Sequence, residues 1–158
     1  MKGSSALVKK LNELLAEELT AINQYMVHSE MCDNWGYQKL HKAIEKQAID
    51  EMRHAEWLIG RILFLEGSPT VSKLNPIRIG KDVKAIIVSD YEAEVVAVKH
   101  YNVAIKLAAD AADNGTRDLL TKVLKDEEGH IDWAEAQLDQ IQQMGVENYL
   151  SNQTAEAK

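Results

Sequence analysis

The chain has 158 residues, 46% hydrophobic and 27% charged, with a formal net charge of −7, a composition that suits one soluble domain with a substantial core. The acidic balance argues against nucleic acid, which demands a basic surface; no segment is apolar enough to span a membrane, and no apolar signal core precedes the first amphipathic stretch. Cys32 is the single cysteine, so no intrachain disulfide can form and a reducing cytoplasm is the expected compartment.

The first amphipathic segment, residues 5–34, carries Leu7, Leu11, Leu14, Glu18, Ile22 and Tyr25 at steps of three and four, which is one face of a helix. Trp35-Gly36 supplies a short turn into a second helix, 38–65, whose stripe is Leu40, Ile44, Ala48, Glu51, Leu58 and Ile62. Both prolines, Pro69 and Pro76, fall between Gly67 and Gly80, which reads as a long connection. A third helix, 82–112, follows with Val83, Ile87, Glu94, Val98, Tyr101 and Ile105. Asn114-Gly115 turns the chain into a fourth, 116–144, with Leu120, Leu124, Glu127, Ile131, Ala134 and Leu138. Two antiparallel hairpins joined by one crossover form an all-α four-helix bundle, with helices on the order of 45 Å long.

Each stripe is interrupted by a glutamate, so four carboxylates point into one core. A buried carboxylate without a partner costs several kcal/mol or takes up a proton. The interruptions are also ordered. Glu18, Glu51 and His54 recur as Glu94, Glu127 and His130, each 76 positions later, and each set places a glutamate 33 residues before a Glu-x-x-His. The i,i+3 spacing puts carboxylate and imidazole side by side on one helix face. Four negative charges balance two divalent ions, and neutral histidines complete the coordination. The pattern resembles that of ferritin-like di-iron and di-manganese bundles, in which two helices give a glutamate each and two give Glu-x-x-His. Tyr25 with Tyr101, Asp50 with Asp126 and Ala21 with Ala97 share the same offset. A phenol near a ligand can donate to a coordinating carboxylate, and an aspartate beside each Glu-x-x-His could orient a histidine across the bundle; core packing and solvated charge are the plainer roles.

The segments Leu19 to Tyr25, Asp50 to Ala55, Arg61 to Gly67, Asp126 to Trp133 and Met144 to Leu150 resemble bacterioferritin, and the resemblance covers almost the whole chain. It implies a ferritin-like fold with a short fifth C-terminal helix, in a homo-oligomer of 24 subunits built from dimers. It also implies iron storage and detoxification, with Fe²⁺ oxidised at a di-iron centre by dioxygen or hydrogen peroxide and ferric mineral laid down in the shell. Glu18, Glu51, His54, Glu94, Glu127 and His130 match the family's ferroxidase ligands; Glu51 and Glu127 would bridge, with Glu18 and His54, and Glu94 and His130, as terminal pairs. Met52 matches the methionine that, with its twofold mate, holds one haem of b type per two subunits. It follows Glu51 by one residue, which turns it about 100° away from the centre, and Leu19, Ile22, Asn23 and Met26 lie where a porphyrin could rest. A ferredoxin-type reductant for iron release is implied as well.

Position 46 departs from the family pattern. Lys46 stands where some bacterioferritins have a histidine that joins the aspartate matching Asp50 in an iron site on the cavity wall. A protonated lysine does not ligate iron, which leaves Asp50 as a weaker, carboxylate-only attraction for iron or as the i,i+4 partner of Lys46. Asn34, Glu66, Asp132 and Asp139 match pore-lining positions, and Tyr25 and Trp133 are candidate one-electron donors. The same six ligands also serve dinuclear redox enzymes such as rubrerythrin-like peroxidases and catalases. Lone Cys32 excludes the paired Cys-x-x-Cys of an attached rubredoxin-type domain, and the completeness of the ligand set argues against a shell with a vestigial site.

Overall fold

The structure, a computed structural model, describes residues 1–155; a single domain spanning 1–158 extends three residues beyond them. Four long helices carry the chain: α1 (Ser5–Asn34), α2 (Gln38–Phe64), α3 (Val83–Asp110) and α4 (Asn114–Met144), followed by a short α5 (Val146–Ser151). There is no strand among the described residues. α1 packs along α2 and α3 along α4, and the two hairpins meet through α1 with α3 and α2 with α4.

Local chemistry sets the helix ends. The side chains of Ser4, Asp82 and Asp113 accept from the backbone N–H of Leu7, Ala85 and Thr116 and so start α1, α3 and α4. Gly36 takes the left-handed conformation, φ 84°, in the expected turn between α1 and α2. The turn between α3 and α4 differs from expectation. Asn114-Gly115 already belongs to α4, and the positive φ falls on Ala112. Asp113 is the reason: it caps Thr116 N at 3.0 Å and accepts from Arg61 Nη2 at 2.8 Å, which begins the helix two residues early. A Cβ at Gly115 would sit 2.7 Å from Arg61 Nη2, so a larger residue there would push the guanidinium off Asp113.

Two apolar clusters fill the interior. One contains Leu7, Leu11, Leu58, Ile62, Ala104 and Leu120, the other Tyr25, Cys32, Ile44, Ile86, Ala134 and Tyr149. The glutamate layer lies between these two plugs. Tyr149 of α5 turns into its own chain's core, its OH donating to Gln137 at 2.6 Å, while Val146 stays exposed.

The crossover from α2 to α3 is held by one polar face of α1. Asn12 accepts from Thr70 N at 2.8 Å, Thr20 Oγ1 from Asn75 N at 2.8 Å, Gln24 Oε1 from Arg78 N at 3.1 Å and His28 Nε2 from Gly80 N at 3.0 Å. Because His28 Nε2 accepts, the ring proton is on Nδ1, which donates to buried Asp90 at 2.8 Å.

Candidate metal centre

Six side chains converge midway along the bundle: Glu18 from α1, Glu51 and His54 from α2, Glu94 from α3, and Glu127 and His130 from α4. All are buried, the most accessible being His130 at 8%. They form two overlapping sets, Glu18, Glu51, His54 and Glu127, and Glu51, Glu94, Glu127 and His130; in each set one donor atom per residue lies within 4.8 Å of the others. Glu51 and Glu127 belong to both, so the two carboxylates are placed to serve two ions at once.

The histidines are oriented from behind. His54 Nδ1 lies 2.8 Å from Glu127 Oε1 and 3.4 Å from Glu51 Oε2, and His130 Nδ1 lies 2.9 Å from Glu51 Oε1 and 3.2 Å from Glu94 Oε1. The far nitrogens meet aspartates of the opposite helix, His54 Nε2 at 2.9 Å from Asp126 and His130 Nε2 at 3.1 Å from Asp50. A carboxylate can only accept, so each Nε2 carries a proton and each Nδ1 is left as the atom available to a metal. The tyrosines cross between hairpins in the same manner: Tyr25 OH donates to Glu94, and Tyr101 OH to Glu18.

The donor set fits cations. Glu18 Oε2, Glu51 Oε1, Glu94 Oε2 and Glu127 Oε1 are buried without a hydrogen-bond partner; the oxygens of Glu51 and Glu127 approach an imidazole, but off its N–H direction. Orphaned carboxylate oxygens in a core are costly unless a proton or a metal answers them. Protons do so here. Burial, reinforced by the neighbouring carboxylates, pushes Glu51 and Glu127 well above the usual carboxylate range. Burial opposes ionisation of Glu94 too, but hydrogen bonds with Glu127, His130 and Tyr25 outweigh it and hold that group low. Burial disfavours imidazolium at His54 and His130, yet the surrounding carboxylates prevail, and His130 is raised to about 9. Divalent ions would displace these protons and satisfy the same oxygens.

Two cavities reach the centre. One, of about 240 Å³, runs from exposed Arg78 and Glu92 beneath the crossover to Glu18, Glu51, Glu94 and Glu127. The other, of about 480 Å³, lies between α2 and α4 and is lined by Lys46, Asp50, Lys125, Asp126, His130 and Trp133. Lys46 pairs with Asp50 at 3.2 Å, as its i,i+4 spacing predicts. Sequence reasoning missed Glu17 and His100. Their side chains bond to each other across α1 and α3, and Glu17 lines the first cavity with Oε2 buried and unpartnered. The position 76 residues beyond Glu17 is Ala93, so the repeat gave no signal.

The remaining sequence candidates lie outside the centre. Met52 is 46% exposed on the outer face of α2, and Met26 of α1 is 50% exposed; Leu19, Ile22 and Asn23 are half-buried. Asn34, Glu66, Asp132 and Asp139 are all exposed. Trp133 packs in the second apolar cluster, on the wall of the larger cavity beside His130.

Comparison with known proteins agrees with this architecture. A family profile described as a ferritin-like domain matches residues 8–144. A bacterial ferritin of Synechocystis is 42% identical over 154 residues, 97% of this chain and 99% of that protein. Bacterioferritins of Mycobacterium avium and Brucella melitensis are 40% and 39% identical, each over 149 residues; these cover 94% of this chain, and 94% and 92% of those proteins. With a four-helix bundle, a central layer of paired carboxylates and near full-length similarity, the chain belongs to the bacterioferritin family of ferritin-like proteins.

Proposed function

We propose that this protein stores and detoxifies iron, oxidising Fe²⁺ at the six-residue centre and depositing the ferric product inside a closed shell of 24 copies assembled from dimers. The observation that carries the reading is the sharing of Glu51 and Glu127 between the two ligand sets, with an orphaned carboxylate oxygen on each of the four glutamates. Two Fe²⁺ bind as substrate. Each gives up one electron, and the pair reduces dioxygen with two protons to hydrogen peroxide, or hydrogen peroxide with two protons to two waters. Carboxylates stabilise the higher charge of Fe³⁺. Asp126 and Asp50 hold the imidazoles in the ligating tautomer, and Tyr101 and Tyr25 fix the terminal glutamates.

Residues 1–158 act as one domain in this reading, in the cytoplasm. Substrate enters by the smaller cavity, and the larger one faces the mineral. Met52 and its copy in a second subunit hold a b-type haem, about one per two subunits. An exposed thioether flanked by exposed Ile49 on α2, with Met26 exposed on α1, fits that role in its donor chemistry. Bound haem supplies a one-electron relay, and a ferredoxin-type reductant returns electrons for iron release. The test is native mass together with the fast phase of Fe²⁺ oxidation under dioxygen and under peroxide. A 24-subunit mass with rapid oxidation by either oxidant is expected. A monomer or simple dimer under varied salt, or no fast phase with either oxidant, would overturn the reading.

A further inference from the structure

We propose that Glu30, His41 and Glu45 form a separate mononuclear site for a divalent transition-metal ion. Glu30 is near the end of α1, and His41 and Glu45 are one turn apart near the start of α2. One donor atom from each lies within 4.8 Å of the others. His41 is ten residues before Glu51, ~15 Å along the helix, so the site is distinct from the paired centre. It also stands outside the internal repeat: the positions 76 residues on are Lys106, Arg117 and Thr121.

His41 gives the cluster its direction. The residue is only 8% exposed. Its Nδ1 lies 3.0 Å from the carbonyl oxygen of Ser29, which can only accept, so Nδ1 carries the proton. Ser29 Oγ, also 3.0 Å from Nδ1, donates its own hydrogen to the His41 carbonyl at 3.2 Å. With Nδ1 engaged by the Ser29 carbonyl, Nε2 is the ring nitrogen left for a metal. That nitrogen has no hydrogen-bond partner among the described residues and lies 3.7 Å from Glu45 Oε2, too far for a hydrogen bond. A divalent ion placed between them would bind both His41 Nε2 and the Glu45 carboxylate. Donating the far ring N–H to a backbone carbonyl is how metal-ligating histidines are commonly held.

One imidazole and two carboxylates suit Fe²⁺ or Zn²⁺, and the two negative charges match a divalent ion. Lys42 is the competing cation, but its Nζ lies 4.0 Å from Glu45 Oε1, whereas Oε2 is the oxygen paired with His41 Nε2. Glu30 is exposed, which leaves the site open to solvent.

Zinc anomalous scattering from crystals of the assembled protein tests the proposal. A peak is expected about 2.1 Å from His41 Nε2, with oxygens of Glu30 and Glu45 around it. H41N keeps an amide donor for the Ser29 carbonyl while removing Nε2; it should lose this peak, keep those at the paired centre and bind one fewer Zn²⁺ per subunit. No peak in the wild type with the paired centre full would overturn the site. A peak that persists in H41N, or equal zinc counts for the two proteins, would also overturn it.

Discussion

Asp126 accepts a hydrogen bond from His54 Nε2 at 2.9 Å across the bundle, and Asp50 accepts from His130 Nε2 at 3.1 Å in return. Each aspartate immediately precedes a glutamate of the centre. Each Asp-Glu pair therefore faces two ways, its glutamate toward the other carboxylates of the centre and its aspartate toward the opposite helix's histidine. Burial works against charge on Asp50, but His130 and Lys46 outweigh it and hold the group below its ordinary value.

Removing either aspartate frees an imidazole to rotate and to change tautomer. Asp126→Ala and Asp50→Ala should each weaken Zn²⁺ binding at the centre by about 10- to 100-fold while leaving all six ligands present. Competition with a chelator of known affinity measures this. Wild-type affinity in both variants would reduce the aspartates to solvated charge.

Glu51 and Glu127 should behave unlike ordinary core residues. Replacing either with alanine removes a donor from both ligand sets and should abolish the fast phase of Fe²⁺ oxidation. Metal-free stability should hold, because relief of crowding among buried carboxylates offsets the cavity left behind. Stopped-flow oxidation beside native mass reads both effects. Wild-type rates in Glu51→Ala and Glu127→Ala would remove the dinuclear mechanism, whereas disassembly of both would point to a structural metal site.

Met52→Leu keeps the volume of the side chain and deletes the sulfur, and leucine cannot ligate iron. Haem content per subunit should fall to near zero without change in native mass. An unaltered low-spin haem spectrum would assign the axial ligand elsewhere.

Asp113 ties α4 to α2 through Thr116 and Arg61. Asp113→Ala should cost about 1 kcal/mol or somewhat more at neutral pH, from the lost cap and ion pair. Burial acts against its charge, but the bonds from Thr116 and Arg61 prevail and depress its pKa below 3.8. A depressed carboxylate contributes fully above its unfolded pKa and loses that contribution as pH falls through the folded value. The gap between variant and wild type should thus be constant from pH 5 to 8 and narrow below about pH 4. Denaturant midpoints across that range test this; a gap that widens on acidification would contradict it.

The four helices were legible because apolar residues recur at helical spacing, whereas the cap at Asp113 set the start of α4 at Asn114, two residues ahead of the start that the Asn114-Gly115 turn suggested. The six central residues were legible because they interrupt those stripes twice in the same register. What stayed hidden depends on contacts between distant segments. Ala112 takes the positive φ that closes α3, with Asp113 N bonding back to Ala108 O at 2.9 Å, and Arg61, about fifty positions earlier in the chain, engages Asp113 where α4 begins. Glu17 meets His100 only once α1 lies on α3, and neither residue has a matching partner in the repeat. The tautomer of His41 follows from a backbone carbonyl on α1, which no residue pattern encodes.

The polar face of α1 treats the crossover as backbone. Thr20, Gln24 and His28 each accept from a main-chain N–H of the connection, and Asn12 does so at Thr70. The route of that strap is therefore written largely in α1, and apart from Gly80, where a Cβ would sit 2.3 Å from Ile86 N, its own exposed side chains are released from specifying it. Ile77 and Ile79, both exposed, sit on a track whose course does not depend on them. The outward chemistry of the crossover can drift, or adapt to whatever lies against it, without moving the helices that carry Glu18 and Glu94.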